Sequence, residues 1–138
     1  MNSHPYLKTY MAGVLLPSLF LLVVLTAFVV ERLVFQLEFP IEQIIVFPMA
    51  VVPNLWGVWN VIYLAAVRKS RLPLGVWGAV LPIILAPGGL ALQRLLGASF
   101  FTMGQVAIVL PVAVAVYYLL WKHAVGFFND VVGVGVAH

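Results

Sequence analysis

MAGVLLPSLFLLVVLTAFVV, residues 11–30, is an uninterrupted run without a single charge. Coiled as an α-helix at ~1.5 Å per residue, it covers roughly 30 Å, the thickness of a bilayer's hydrocarbon core. A chain crossing lipid has no water to bond its N–H and C=O groups, so a helix that bonds them internally is the natural reading. The run exceeds the apolar region of a typical signal peptide. Its downstream edge, Ala27-Phe28-Val29-Val30-Glu31, has no small-x-small cleavage pattern, so the sequence predicts a retained membrane helix.

The rest of the chain extends this pattern. Of 138 residues, 64% are hydrophobic and 8% charged, and the mean hydropathy is +1.15. Soluble domains carry about one quarter charged residues. A soluble chain of this length could not hide so much apolar surface, whereas lipid removes the need to hide it. The expected fold class is an all-α membrane protein, a four-transmembrane-helix bundle forming a single domain over residues 1–138. Its helices are expected at about 11–30, 41–67, 74–92 and 104–121. Between the first two, Glu31 to Phe39 mixes charge with apolar residues and reads as a short interfacial segment. The tail from Lys122 onward, with Gly126, Gly133 and Gly135, reads as interfacial or loose.

Prolines punctuate the second and third helices. Each lacks an N–H and frees the carbonyl four residues earlier, so Pro53 frees Met49 and Pro87 frees Ile83. Both helices are expected to kink, with Pro87-Gly88-Gly89 as the foremost candidate for a break. Pro48/Pro53 and Pro82/Pro87 share a spacing, and Trp56-Gly57-Val58-Trp59 looks like Gly75-Val76-Trp77-Gly78. An inverted-repeat transporter would place such features in corresponding helices of its two halves. Here they fall in non-corresponding helices, and the similarity reads as coincidence.

Charge gives the sidedness. With four crossings, the N-terminal tail, the second loop and the C-terminal tail share a side carrying Lys8, Arg68, Lys69, Arg71 and Lys122. The opposite side carries Arg32 and Arg94. The positive-inside rule then places both termini in the cytoplasm. The seven basic residues cap apolar runs and form no phosphate-tracking stripe, so nucleic acid is not an expected partner. Membrane lipids are. The absence of cysteine removes disulfides, thiolate metal sites and S-palmitoylation. His4, His123 and His138 lie outside the spans, so haem ligation between helices is not expected, nor is any other cofactor or metal.

Candidate ligand-binding residues lie in the second helix. Met49, Pro53, Trp56, Asn60 and Tyr63 follow helical spacing and share a face, with Asn54 nearby. Amides this deep in an apolar run carry donors and acceptors that lipid cannot meet, so the face should turn into the bundle or a subunit interface. One reading makes it a pocket wall, with Trp56 and Tyr63 stacking on an apolar ligand and Asn60 fixing it. The other makes the amides interhelical glue. In the fourth helix, Gly104, Ala107, Pro111 and Ala115 form a small-residue face suited to an internal contact or a homo-oligomer seam.

Three functions compete. The first is a non-enzymatic membrane protein that binds or passes a small apolar or weakly polar molecule, as a homo-oligomer. Apart from Glu42 in the first turn of the second helix, no Asp, Glu, Lys or Arg lies within a span, which argues against proton-coupled export. The second is an accessory or scaffold subunit of a membrane complex. The third is an enzyme acting on a lipid or isoprenoid through Glu38 and Glu42, since paired carboxylates can do acid/base work. Leu37-Glu38-Phe39-Pro40-Ile41-Glu42 resembles the proline-x-glutamate segment of small membrane-embedded carotenoid cyclases. That resemblance implies a carboxylate that protonates a polyene. The segment has Gln43 where the family usually carries a second acid.

Overall fold

The computed structural model describes residues 4–38, 51–97 and 101–135, which are helical with no strand among them. Helix α1 is Pro5–Val34. Helix α2, Val52–Ile62, runs into a π-helical turn, Tyr63–Val67, and a 3-10 turn, Arg68–Ser70. Helix α3 is Leu74–Leu95. Helix α4, Met103–Leu119, continues through a π-helical stretch, Leu120–Val125, into α5, Gly126–Val131. Among the described residues three helical runs are long and apolar enough to cross a membrane: Pro5–Val34, Leu74–Leu95 and Met103–Val131. The expected second span, 41–67, lies partly outside the described residues, and only its later part, α2 and the turns after it, is considered below.

Several boundaries differ from expectation for identifiable reasons. The first helix gains turns at both ends: Pro5 sits in its first turn, where a missing N–H costs nothing, and Glu31 and Arg32 continue it. The chain then turns at Gln36, φ 54°, so residues 31–38 form no separate interfacial helix. Helix α3 passes through Pro82 and Pro87 as one α-helix. The expected break at Pro87-Gly88-Gly89 does not occur, because an apolar helix tolerates a single missing bond where its other backbone bonds hold.

The largest departure is at the C-terminus. The tail expected to be loose is a helix ending in a Schellman motif: Val134 N–H donates to Asn129 C=O (2.8 Å) and Gly133 N–H to Asp130 C=O (3.0 Å). Gly133 takes the left-handed φ of 77° that this motif needs. Val134, just beyond, is 5% exposed. Because the helix continues, Trp121, which as an aromatic at the end of the expected fourth helix suits the membrane interface, is instead enclosed. It is completely buried, as is Val125 one turn on. The wider π turn keeps the two on the same inward side.

Packing concentrates at one end of the bundle, where α1 begins, α2 turns into α3, and α5 ends. Without a hydrophobic force between helices in lipid, close van der Waals contact must hold them, and small residues permit it. Helices α1 and α2 cross at Gly13 and Gly57. A Cβ on Gly13 would lie 2.6 Å from the Trp56 carbonyl oxygen, and one on Gly57 would lie 2.6 Å from the Tyr10 ring. Helix α3 receives Trp121 over Gly78, where a Cβ would fall 2.0 Å from the indole. Trp56, Tyr63, Leu74, Leu81, Trp121 and Val125 form the buried core.

The two look-alike segments meet in this hairpin. Trp59 and Trp77 stack with ring centroids 4.2 Å apart and planes 11° from parallel. Each indole N–H donates to the other residue's carbonyl, both at 3.0 Å. The glycine two residues before each tryptophan receives a tyrosine from an outer helix, Tyr10 on Gly57 and Tyr118 on Gly75. The Gly-Val-Trp similarity therefore has a local structural counterpart, a nearly symmetric contact between antiparallel helices.

Candidate functional site

The structure places most of the polar stripe together. Pro53, Trp56, Asn60 and Tyr63 are all buried; Met49 lies outside the described residues. The polar atoms of the stripe are used within the protein. Asn60 Nδ2 donates to the Thr9 carbonyl and to Asn129 Oδ1, both at 2.8 Å. Asn129 Nδ2 donates back to Asn60 Oδ1 at 3.1 Å. The two amides are fully buried and join α2 to α1 and α5. Tyr63 donates its hydroxyl to the Leu72 carbonyl at 2.9 Å, tying α2 to the turn that follows it. Trp56 packs edge-on to Tyr117 at 5.1 Å and against Trp121 at 5.3 Å. Asn54 is exposed and accepts the Tyr10 hydroxyl at 2.6 Å.

Of the two carboxylates considered for acid/base work, Glu38 is exposed beyond the end of α1, and Glu42 lies outside the described residues. The small-residue face of α4 is not buried among the described residues: Gly104, Ala107, Pro111 and Ala115 are all exposed.

Away from the tight end, α3 and α4 line a common space. A cavity of about 630 Å³ lies between them, within the range of small-molecule sites. Leu85, Ala86 and Gly89 of α3 face Val106, Leu110 and Ala113 of α4 across it. At the α3–α4 loop it is bounded by Gln93, Phe101 and Gln105, and at its inner end by Pro82, Val52 and Tyr117. No charged side chain is among the described lining residues.

Local sequence builds both ends. At the loop, Thr102-Met103-Gly104-Gln105 forms a capping box. Gln105 N–H donates to Thr102 Oγ1 (3.3 Å) and Thr102 N–H to Gln105 Oε1 (2.9 Å), meeting two of the donors a helix start leaves open. Gln105 therefore belongs to the first turn of α4 rather than to the middle of a span. Gln93 clamps the approaching chain, its Nε2 donating to the Phe101 carbonyl (2.7 Å) and its Oε1 accepting the Phe101 N–H (3.1 Å). Helix α3 ends at Gly97, φ 64°, whose N–H donates to Arg94 C=O.

At the inner end, the Tyr117 hydroxyl accepts a long bond from Trp56 Nε1, 3.4 Å. Its own hydrogen has no acceptor among the described residues. Trp121 Nε1 is also without a partner there, but it is sealed in the core.

Sequence reasoning missed Asn129, Tyr117 and the clamp made by Gln93. The capping box was a readable signal, as was the Gly133 stop after a helix-compatible run. The partnership of Asn129 with Asn60 spans 69 positions, and no local pattern announces it. In comparison with family models, curated proteins and solved structures, nothing matches this chain.

Proposed function

We propose that the chain is a four-span integral membrane protein that binds a small apolar or weakly polar molecule in the cavity between α3 and α4. The observation that carries this reading is a predominantly apolar cavity of about 630 Å³ with no charge among its described lining residues and, at its inner end, a Tyr117 hydroxyl hydrogen that meets no acceptor among the described residues. The buried stripe of α2 supports the site from behind: Trp56 braces Tyr117, and Asn60 holds α2 against α1 and α5. Four crossings are supported by the Thr9–Asn60–Asn129 contacts, which bring the start of α1, the end of α2 and α5 to one end. With Lys8, Lys69, Arg71 and Lys122 near that end, the cytoplasm is its proposed side.

The test is native mass spectrometry of protein extracted with its lipids, comparing wild type with Ala113→Phe. Ala113 lines the cavity and is half-buried, so a phenyl group there fills space without crowding the tight end. A small mass retained by wild type and lost from the variant supports the reading. Equal retention by both overturns it. The same spectra read stoichiometry. A homo-oligomer is proposed to pack through the exposed small-residue face of α4, and a Gly104→Leu, Ala107→Leu variant should then run as the smaller species.

A further inference from the structure

The donors and acceptors around this cavity are unequal, and the imbalance specifies a ligand. Gln93 spends its oxygen and one amide hydrogen on Phe101. Gln105 spends its oxygen on the Thr102 N–H and hydroxyl, while its Nε2 has no acceptor among the described residues. Tyr117 keeps its hydroxyl hydrogen, and its oxygen already receives the Trp56 N–H. The carbonyls freed by Pro82, Pro87 and Pro111 belong to Gly78, Ile83 and Ala107. None of those residues lines the cavity. Among the described lining residues it therefore offers donors at both ends and no charge, and the one amide oxygen with a lone pair to spare, Gln93 Oε1, stands at the loop end. Tyr117 and Gln105 are separated by twelve positions of α4, roughly 18 Å of helix.

Resting on the binding reading above, we infer that the ligand is an uncharged, chain-like apolar molecule bearing a carbonyl-type oxygen, a ketone, quinone or ester, that accepts the Tyr117 hydroxyl hydrogen. An alcohol of the same skeleton can accept that bond, but its own O–H then lies beside Pro82 and Val52, with no side-chain acceptor among the described residues at that end. A carboxylate adds a desolvated charge with no cation facing it. An alkane forgoes the hydrogen bond. The length from Tyr117 to Gln105 suits a chain of a dozen or so carbons, with a second acceptor tolerated at the loop end.

The experiment uses the full chain in neutral-lipid nanodiscs and three probes of one skeleton: a long-chain methyl ketone with an isotope-labelled carbonyl, the matching secondary alcohol, and the alkane. Affinity is read by competition, and the ketone's carbonyl stretch by isotope-edited infrared spectroscopy. The expected result is that the ketone binds about fivefold more tightly than the alkane and more tightly than the alcohol. Its carbonyl band should shift to lower frequency, and Tyr117→Phe should erase both the preference and the shift. If all three probes bind equally and Tyr117→Phe changes nothing, but Ala113→Phe excludes them, the carbonyl inference falls while the cavity reading stands. If none binds, or Ala113→Phe binds all three as wild type does, both fall.

Discussion

The Asn60–Asn129 pair makes a quantitative claim that a double-mutant cycle can test. Leucine at either position is close to asparagine in size and removes the amide. Asn60→Leu deletes three hydrogen bonds, two at 2.8 Å and one at 3.1 Å. It also strands both ends of the Asn129 amide in a site with no exposure. At ~0.6 kcal/mol per interhelical bond in a membrane protein, the bonds amount to roughly 2 kcal/mol. A stranded buried amide adds about 1–3 kcal/mol, so a loss of about 3–5 kcal/mol is expected. Asn129→Leu deletes only the two mutual bonds and leaves Asn60 Nδ2 on the Thr9 carbonyl, so it should cost about 2 kcal/mol on the same scale.

The double variant loses the same three bonds but strands no side-chain amide. It should therefore be no less stable than Asn60→Leu alone, with a coupling energy of at least ~1 kcal/mol. The assay is reversible unfolding in mixed micelles by titration with a denaturing detergent, followed by the fluorescence of the buried tryptophans 56 and 121. Additivity of the single losses to within ~0.5 kcal/mol would refute the reasoning: the amides would then be independently solvated and α5 would not be docked through them.

Two further perturbations probe the tight and open ends separately. At the tight end, Gly78→Ala drives a methyl group to within 2.0 Å of the Trp121 ring. It should lower stability by about 1–3 kcal/mol and be partly rescued by Trp121→Leu, whereas Gly88→Ala on the same helix meets nothing within 4 Å and should be neutral or slightly stabilising in the same titration. At the open end, Thr102→Ala removes the cap of α4 and should cost about 1 kcal/mol, with faster amide hydrogen exchange confined to the first turn of α4; unchanged exchange there would remove the cap's role.

How much of this was legible depended on whether a feature was local. Charge-free runs longer than the bilayer is thick identify α1, α3 and α4 directly, because lipid demands length and apolarity from a single segment. The inward stripe of α2 was readable as well, since Pro53, Trp56, Asn60 and Tyr63 repeat at helical spacing and amides are costly in hydrocarbon. What the stripe faces was not readable. Length and glycine content made the tail from Lys122 read as interfacial or loose, yet Trp121, Val125 and Asn129 lie four apart and Gly133 follows as a stop. Glycine was read as interfacial or loose chain where Gly126 is buried within the helical run and Gly133 serves as a left-handed stop. The cavity was invisible for a different reason. It is a space between two helices, and its polar character depends on which atoms their neighbours have already bonded.

Trp121 Nε1 and the Tyr117 hydroxyl, both donors without an acceptor among the described residues, carry different meanings because their surroundings differ. An unmet donor in an apolar site costs about 1–3 kcal/mol. At Trp121 shape accounts for that cost: the indole fills the groove left by Gly78 and touches Trp56, and no smaller ring would span both. Phenylalanine at position 117 would keep the ring against Trp56 and lose nothing the interior uses except one long bond of 3.4 Å. The hydroxyl adds little to packing, yet it stands at the end of a cavity large enough for a ligand. A polar atom that packing does not require, placed beside a space that packing does not fill, is where binding is most economically located. That is why the proposal rests on Tyr117 rather than on the more conspicuous amides of α2.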